Sequence, residues 1–206
     1  MTSPNVYALE IVTVEEVAHN QVLRKPAKPV SFPLSASDLQ LIAAMKGKLY
    51  DLGGVGLAAP QVNRAKQIIA IYIPEEAALL RNNVSPYPMH IMINPSYQGV
   101  EEKGFIHDFE GCYSVSSKAG KVPRYSQITL HYQDENGQAH SSTESGFYAR
   151  VLQHEIDHLN GTLIIDRLTP DCVQGSVQEM MALRRKELSD EQKAAFDLVI
   201  SKKFKK

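Results

Sequence analysis

The sequence lacks tryptophan altogether, so aromatic packing in this 206-residue chain depends on nine tyrosines and six phenylalanines. Cysteine is scarce as well: Cys112 and Cys172 are too few for the disulfide framework of a small secreted protein, which favours a reduced protein. No apolar run approaches the roughly 20 residues needed to span a bilayer. The first residues carry acidic side chains and no continuous apolar run, so they do not resemble a signal peptide. We therefore expect a soluble, cytoplasmic protein with no membrane partner.

An excess of charge of either sign is also missing. The formal net charge is −1, which argues against the broad basic field of a protein that binds DNA. Only the tail is basic, with four lysines among residues 202–206. With 43% hydrophobic and 22% charged residues, the chain has enough apolar material for a core. Its length predicts one catalytic domain over residues 1–206, with about 171–206 as a C-terminal helical extension.

Apolar periodicity divides the chain into strand and helix segments that do not alternate as βα units. Without βα units, a parallel, doubly wound sheet is disfavoured and an α+β fold is favoured. We expect mostly antiparallel β-sheets packed around a central helix, with a C-terminal helix. The predicted segments are a helix over 39–52 after a cap at Ser35 or Ser37, strands over 67–73, 89–93 and 128–132, a surface loop over 74–88, a hairpin at Asn136-Gly137, a helix over 146–159, and one or two helices over 171–200.

The sharpest chemical signal is the run HEIDH at residues 154–158, inside the predicted helix over 146–159. Residues four apart lie on one face of a helix, so both imidazoles can bind one metal ion. Glu155 lies one step round the helix, where its carboxylate can take a proton from water that the metal has made more acidic. This is the His-Glu-x-x-His pattern of metal-dependent hydrolases. The alternative interpretation is two ordinary histidines on a solvated or core helix.

A catalytic metal usually takes three protein ligands, so a third is needed beside His154 and His158. Ile164 occupies the position of the third histidine in metzincin-type proteases. Glu179 lies 21 residues after His158 (179 − 158), a spacing that fits a thermolysin-like protease. Cys112 is the competing candidate, because its glycine neighbour lets the backbone approach a metal closely. A non-enzymatic, metal-stabilised module would need a fourth protein ligand, and nothing near the motifs supplies an obvious one.

Three separated segments together resemble the peptide deformylase family. The first is GVGLAAPQ over residues 54–61, the second is EGCYS over 110–114, and the third is QHEIDHLNG over 153–161. They occur in the family's order and with comparable spacing. Flanking similarity extends from about Leu23 to about Leu168, so the resemblance covers most of the chain.

The resemblance implies an activity, a cofactor and a set of functional residues. The activity is hydrolysis of N-formylmethionyl nascent peptides, which releases formate and a free N-terminus. The implied cofactor is one Fe(II) ion per chain, for which Zn(II), Ni(II) or Co(II) can substitute; imidazole and thiolate ligands suit several first-row metals. The implied metal ligands are Cys112, His154 and His158, with Glu155 as general base and acid, and with the side-chain amide of Gln61 and the backbone N–H of Tyr113 as donors to the developing oxyanion.

The position of the motifs also indicates how substrate is held. Gly54 and Gly56 would let the backbone lie close to the substrate, although both also fit a simple turn. Val55, Phe147 and Val151 are candidate walls of an apolar pocket for the methionine side chain, with ordinary core packing as the alternative. Enzymes of the resembling family dock a C-terminal helix near the ribosomal exit tunnel. The basic tail is therefore a candidate ribosome contact, with a solvated helix end as the alternative.

The sequence departs from the family pattern at two places. Tyr113 stands where the family usually has leucine, and the run over 115–120 lacks the proline and arginine that follow the second motif in many members. Because the implied role of Tyr113 is a backbone one, catalysis should survive, whereas contacts with the substrate backbone are expected to differ. Arg124 fits the family's Val-Pro-Arg run and is predicted to pair with Glu110.

Overall fold

The secondary structure is known for residues 8–81 and 84–204, the part of the chain that the computed structural model describes. The helices are α1 (Ala36–Leu52), α2 (Glu75–Leu79), α3 (Gly146–Leu159), α4 (Ile164–Arg167), α5 (Val177–Glu187) and α6 (Asp190–Phe204). The strands are β1 (Gly56–Ala58), β2 (Ile68–Ile73), β3 (Tyr87–Gly99), β4 (Phe105–Cys112), β5 (Val115–Tyr125), β6 (Gln127–Gln133), β7 (Ala139–Ser145) and β8 (Gln174–Gly175). Short 3-10 helices cover Asn20–Arg24, Ala59–Val62 and Glu101–Lys103.

Neighbouring strands are antiparallel throughout the two sheets of the described chain. One sheet has five strands in the order β1-β2-β3-β6-β7, and the other has three in the order β4-β5-β8. Across the β4–β5 hairpin, Phe105 pairs with Tyr125. Helix α3 contacts strands of both sheets. These observations confirm the predicted α+β fold, in which mostly antiparallel sheets pack around a central helix.

Strand β2 separates two apolar clusters, because its side chains alternate between the faces of the five-stranded sheet. Ile69 and Ile71 pack in the cluster that contains α3, whereas Ile68 and Ala70 pack with α1. The sheet is therefore covered by α1 on one face and by α3 on the other. The apolar residues that α3 buries in this way include Val151, Leu152, Ile156 and Leu159.

Helix α1 is capped at both ends, and its C-terminal cap leads directly into the first motif. The Ser35 hydroxyl accepts a hydrogen bond from the Asp38 N–H at 3.1 Å, and the Asp38 carboxylate accepts one from the Ser35 N–H at 3.1 Å. This reciprocal arrangement makes Ser35, rather than Ser37, the cap. Gly53 ends the helix at φ 61°, a left-handed conformation that glycine adopts at no steric cost.

Two sequence predictions were wrong in the region between α1 and the second motif. Strand β3 continues past Asn94 and ends at Gly99. Asn94 itself adopts a φ of 51°, and its side chain hydrogen-bonds Val30 at 2.8 and 2.9 Å, so it interrupts the strand only locally. The pairing with β6 is irregular there and then resumes, as expected for a bulge. The segment 74–88, predicted as a loop, contains α2 and the start of β3.

The C-terminal segment folds as two helices, α5 and α6, within the one or two that were predicted. Met180 of α5 packs against Phe109 and Ala119, so α5 lies on the three-stranded sheet. Ser189 caps α6 by accepting a hydrogen bond from the Gln192 N–H at 3.2 Å. No helix among residues 8–81 and 84–204 is long and apolar enough to cross a membrane.

Candidate active site

The second and third motifs meet where β4 ends beside α3. The ligand atoms of Cys112, His154 and His158 all lie within 4.8 Å of one another. Cys112 Sγ lies 3.2 Å from His158 Nε2. The two histidines lie one turn apart on α3, with ring centroids separated by 5.1 Å. The structure thus brings together the three side chains that were predicted as metal ligands.

Helix α3 is fixed against the strand that follows the cysteine by its own glutamine. The Gln153 amide nitrogen donates to the Tyr125 carbonyl at 2.9 Å, and the amide oxygen accepts from the Tyr125 N–H at 3.0 Å. Gln153 therefore completes the backbone hydrogen bonds of a strand residue that faces the helix. This pair of bonds sets the position of α3 next to the three-stranded sheet.

Glu110 orients one of the candidate ligands. His154 Nδ1 donates to Glu110 Oε2 at 2.9 Å, which leaves Nε2 as the ligand atom. Arg124 binds the same carboxylate at 3.0 and 2.9 Å, and Arg150 binds it at 2.6 Å. Burial raises the pKa of Glu110, but the charge of Arg124 and the hydrogen bond from His154 outweigh it and hold the pKa well below its usual range. The predicted pairing of Arg124 with Glu110 is present.

A second buried carboxylate, Asp157, was not given a role by the sequence analysis. It lies inside the HEIDH run but binds away from the candidate ligands, to Arg124, to Arg167 at 2.7 and 2.9 Å, and to the Tyr97 hydroxyl at 3.1 Å. Arg124 therefore joins Glu110 and Asp157 in one buried network. The sequence did contain a clue to this role, because Asp157 is an acidic residue on a helix that is apolar on most of its faces. A carboxylate that is buried in such a helix needs cationic partners.

Glu155 lies beside the three candidate ligands with part of its carboxylate uncommitted. The side chain is buried, and no described residue forms a hydrogen bond with its Oε2. Burial raises the pKa of Glu155 to about 7. Gly56 of β1 approaches so closely that a Cβ there would collide with this carboxylate. Glycine is therefore required at position 56 to make room for Glu155, in addition to its predicted role of letting the backbone lie close to the substrate.

Gln61 presents its amide nitrogen to the same site. The side chain is buried, and its Oε1 accepts a hydrogen bond from the Ala58 N–H at 2.9 Å. That bond orients Nε2, which lies 3.6 Å from Cys112 Sγ. The amide is therefore held with its N–H groups toward the cysteine and adds no charge to the site.

Tyr113 links the second motif to the first through its side chain. Its hydroxyl donates to the Leu52 carbonyl at 3.1 Å, at the end of α1. A Cβ on Gly54 would lie 2.6 Å from the Tyr113 hydroxyl, so glycine is required where the ring passes. Burial raises the pKa of Tyr113 to about 12, which keeps the phenol neutral. Tyr113, which stands where the resembling family usually has leucine, thus anchors the glycine loop through its side chain. Its backbone N–H follows directly after Cys112 in the chain.

The predicted pocket residues share one apolar cluster. Val151 is buried in it, and Val55 and Phe147 pack against it partly exposed. Core packing is therefore part of the role of Val151. Phe147 also lines a cavity of about 340 Å³, where the Arg81 guanidinium lies 4.2 Å from the centroid of its ring.

The donor set fits a first-row divalent metal. Burial, reinforced by the charge of His154, lowers the pKa of His158 well below its usual value, so its imidazole is neutral and free to bind a cation. Burial also lowers the pKa of His154, but hydrogen bonds with Cys112 and Glu110 outweigh it and raise the pKa, so a cation would compete with a proton there. Within the described ranges, no further acidic residue, histidine or cysteine joins this group. Three ligands with one open position are typical of a catalytic site rather than a structural one.

Comparison with known proteins identifies the same family that the three sequence motifs resemble. A family model described as polypeptide deformylase matches residues 9–174. Peptide deformylase 2 of Rickettsia conorii is 36% identical over 195 residues, which cover 91% of this chain and 94% of the relative. Peptide deformylase of Latilactobacillus sakei is 39% identical over 182 residues, covering 80% and 94%.

Solved structures agree. The class I type b peptide deformylase from Acinetobacter baumannii has a TM-score of 0.67 and 31% identity, and the match covers 78% of this chain and 99% of that one. The peptide deformylase from Synechococcus elongatus in complex with actinonin has a TM-score of 0.67 and 30% identity, covering 93% and 94%. The chain therefore belongs to the peptide deformylase family and is a metal-dependent hydrolase with peptide deformylase activity.

Proposed function

We propose that Cys112, His154 and His158 hold the catalytic metal, and that Glu155 serves as the general base and acid for hydrolysis of N-formylmethionyl nascent peptides in the cytoplasm. One observation carries the proposal: three ligand atoms within 4.8 Å lie next to a buried carboxylate whose Oε2 has no hydrogen-bond partner among the described residues. A divalent cation at these ligands would polarise the formyl oxygen and make water more acidic.

Glu155 moves the proton. Its carboxylate takes a proton from the attacking water as that water adds to the formyl carbon. It then gives the proton to the methionine nitrogen, so that the carbon–nitrogen bond breaks and formate leaves. Burial raises the pKa of Glu155, which favours holding the proton until the nitrogen leaves, whereas a cation at the ligands would favour the carboxylate that takes the proton first.

Gln61 and Tyr113 stabilise the negative charge that develops on the formyl oxygen. The Gln61 amide nitrogen, 3.6 Å from Cys112 Sγ, and the backbone N–H of Tyr113, the next residue after Cys112, are both neutral donors. A preorganised donor of this kind contributes about 3–4 kcal/mol to transition-state stabilisation. The hydrogen bond from the Ala58 N–H to Gln61 Oε1, at 2.9 Å, preorganises the amide before substrate arrives.

Substrate positioning falls to the glycine loop and the start of α3. The backbone at Gly54 and Gly56 borders the site, with Gly56 packed on Glu155. Val55, Phe147 and Val151 offer the apolar surface that a methionine side chain needs. We further propose that residues 1–206 form one catalytic domain with 171–206 as its helical extension, because α5 packs on the sheet that ends at the metal site.

The alternative protease mechanisms lack support in the geometry. Glu179 is exposed and accepts hydrogen bonds from the Ser176 N–H and hydroxyl at 2.8 Å, as the partner in a helix cap. Ile164 is buried in an apolar cluster. A purely structural metal site would need a fourth ligand, and the described residues provide only three in this group.

The decisive experiment is formate release from formyl-Met-Ala-Ser by metal-loaded protein, with acetyl-Met-Ala-Ser as the control substrate. We expect formate from the first peptide and no acetate from the second, because a formyl carbon carries only hydrogen and the proposed site needs no room for the acetyl methyl group. Cleavage of internal bonds in a longer peptide, without formate release, would favour the thermolysin-like alternative.

We propose Fe(II) as the resident ion, with Zn(II), Ni(II) or Co(II) as substitutes. The anaerobic iron form should turn over fastest and should lose activity in air, because iron and the partly exposed Cys112 thiolate are both open to oxidation. The zinc form should be slower and stable in air. The measurement is kcat at matched metal occupancy before and after exposure to oxygen, and equal turnover of the two forms would contradict the proposal.

We also propose that the basic tail contacts the ribosome. The side chains of Lys202, Lys203, Lys205 and Lys206 lie outside the described residues, so the support is their sequence and the attraction of a basic helix end to phosphate. Phe196 of α6 is buried, so replacing the four lysines by glutamine disturbs the fold less than deleting the helix.

The quadruple lysine variant should bind ribosomes distinctly less than the unmodified chain in co-sedimentation at low salt, and the binding of the unmodified chain should weaken steeply as salt rises. Its activity on short formyl peptides should stay normal. Indistinguishable ribosome binding by the two proteins would leave the lysines with only their role of keeping the helix end solvated.

A further inference from the structure

The cavity of about 340 Å³ has a wall formed by residues that the family match does not include. None of the three proposed metal ligands is among the described residues that line it. Arg184 and Glu187 of α5 and Gln192 of α6 form one side. These residues lie beyond residue 174, where the family match ends. The C-terminal extension therefore builds part of a cavity that opens beside Phe147.

Arg81 also lines the cavity, and several contacts hold it. It is largely buried, pairs with the Asp108 carboxylate, and donates to the Phe109 carbonyl at 3.0 Å. Its guanidinium also lies against the Phe147 ring. Several contacts thus fix this planar group at the cavity wall.

Arg184 is held less firmly, because the Asp108 carboxylate, whose charge acts on it, is already paired with Arg81. Its guanidinium lies 5.8 Å from the centroid of the Phe196 ring. No described residue accepts a hydrogen bond from it. A guanidinium has five N–H donors, so a partly buried one that lines a cavity without an acceptor is ready to bind an anion.

The charges around the cavity are unbalanced. Four arginines and two carboxylates line it, and both carboxylates are already paired: Asp108 with Arg81, and Glu187 with Lys121 at 2.9 Å. Arg124 and Arg150 are neutralised by the carboxylates beside the proposed metal site, Glu110 and Asp157. Burial, together with the charge of Arg184, lowers the pKa of Arg81 to about 10, since the two cations repel one another.

We propose that Arg184 and Arg81 form an anion-binding subsite that accepts a carboxylate or phosphate group, and that its ligand is an acidic side chain in the second or third residue after the formyl-methionine. The position follows from α3, on which Phe147 precedes His154 by seven residues, or about 10 Å of helix rise. An extended peptide covers about 3.3 Å per residue, so three residues span this distance, and the side chain of the second residue can also reach it. The peptide assignment rests on the proposed deformylase mechanism, whereas the anion site itself does not.

The test uses nickel-loaded, full-length protein and C-terminally amidated peptides. Formyl-Met-Ala-Glu-Ala and formyl-Met-Ala-Ala-Glu are each compared with the peptide that has glutamine in place of glutamate. At least one acidic peptide should have a kcat/KM about tenfold higher than its glutamine partner, through KM. Arg184→Gln should bring that ratio to about one. Lys186→Gln, which removes an exposed charge from the same helix, should keep the ratio and the activity of the unmodified chain.

Inorganic phosphate distinguishes the peptide from a free anion as the source. If phosphate raises the melting temperature of the unmodified holoprotein but not of Arg184→Gln, while the peptide ratio is one, the anion site stands and its ligand is a free anion. If neither the ratio nor the phosphate shift depends on Arg184, the proposal is wrong. Absence of formate from every peptide would instead contradict the proposed mechanism, and the phosphate shift would still report on the cavity.

Folding of the variant is checked separately. If Arg184→Gln melts well below the unmodified chain, Arg184→Lys replaces it, because lysine keeps the charge while losing the forked pair of donors. A reduced but measurable acidic preference in Arg184→Lys supports the subsite, and a full preference contradicts the role of the guanidinium.

Discussion

Glu155→Gln is expected to keep its metal and to lose formate release by about 10²–10⁴-fold in kcat. Glutamine has nearly the same shape, so it fills the space beside Gly56, but it cannot accept a proton from the attacking water. The three proposed ligands are untouched, so metal content per chain should be unchanged. The measurement is kcat with formyl-Met-Ala-Ser, together with metal analysis of the same sample.

A matched control is Glu135→Gln, which makes the same chemical change at an exposed carboxylate that pairs with Lys46 at 2.9 Å. Its activity should match that of the unmodified chain. The melting temperature of Glu155→Gln should not fall, because a neutral amide tolerates burial at least as well as a carboxylate whose pKa is raised to about 7. Loss of metal from Glu155→Gln would show that this residue is a ligand and not the base.

The site on α3 was predictable because its geometry is local. Residues four apart in a helix always share a face, so HEIDH places His154 and His158 together without any knowledge of the sheets. The predicted bounds of that helix agree with the structure, which has it over Gly146–Leu159. The apolar side chains on the remaining faces explain why: α3 is buried against both sheets, and its periodicity is strong.

The hairpin of β4 and β5 was not predicted, although it delivers the cysteine. Phe109 is the only buried apolar residue of β4, and most of the others are at least partly exposed, so no alternation of apolar and polar residues marks the strand. Its pairing with β5 is long-range information that the local sequence does not carry. Periodicity therefore could not place Cys112 beside the two histidines, and that prediction came from the order and spacing of the three motifs.

The buried ion network was also largely beyond sequence reasoning. Arginine in a helix is normally solvated, so nothing local marks Arg150 as a buried partner of Glu110. It donates to that carboxylate at 2.6 Å and to the Val122 carbonyl at 2.9 Å. The segment over 171–200 was predicted as one or two helices from its amphipathic pattern. That Arg184 of α5 comes to line a cavity depends on the contacts of α5 with β4 and β5 and of α6 with α2, which the pattern does not encode.

Cys112→Ala is expected to abolish stoichiometric metal binding and, with it, formate release. Two imidazoles alone hold a divalent ion poorly, and a thiolate is the third donor within 4.8 Å of both histidines. Cys172→Ala is the matched control, since it removes the second cysteine of the chain, a buried one whose partner is the Thr169 hydroxyl at 3.4 Å. That variant should retain one metal per chain and normal activity. Metal content by elemental analysis and formate release are measured on all samples.

Glu179→Gln completes the comparison, because it removes the charge of the rival third ligand. The carboxylate accepts the Ser176 N–H at 2.8 Å in a helix cap, so its loss should cost some stability of α5 and leave metal and activity nearly intact. A metal-free Glu179→Gln beside a metal-loaded Cys112→Ala would reverse the assignment and favour the thermolysin-like alternative. If both variants lost the metal, the site would have four protein ligands and no open position, which is the arrangement of a structural metal centre and not of a hydrolase.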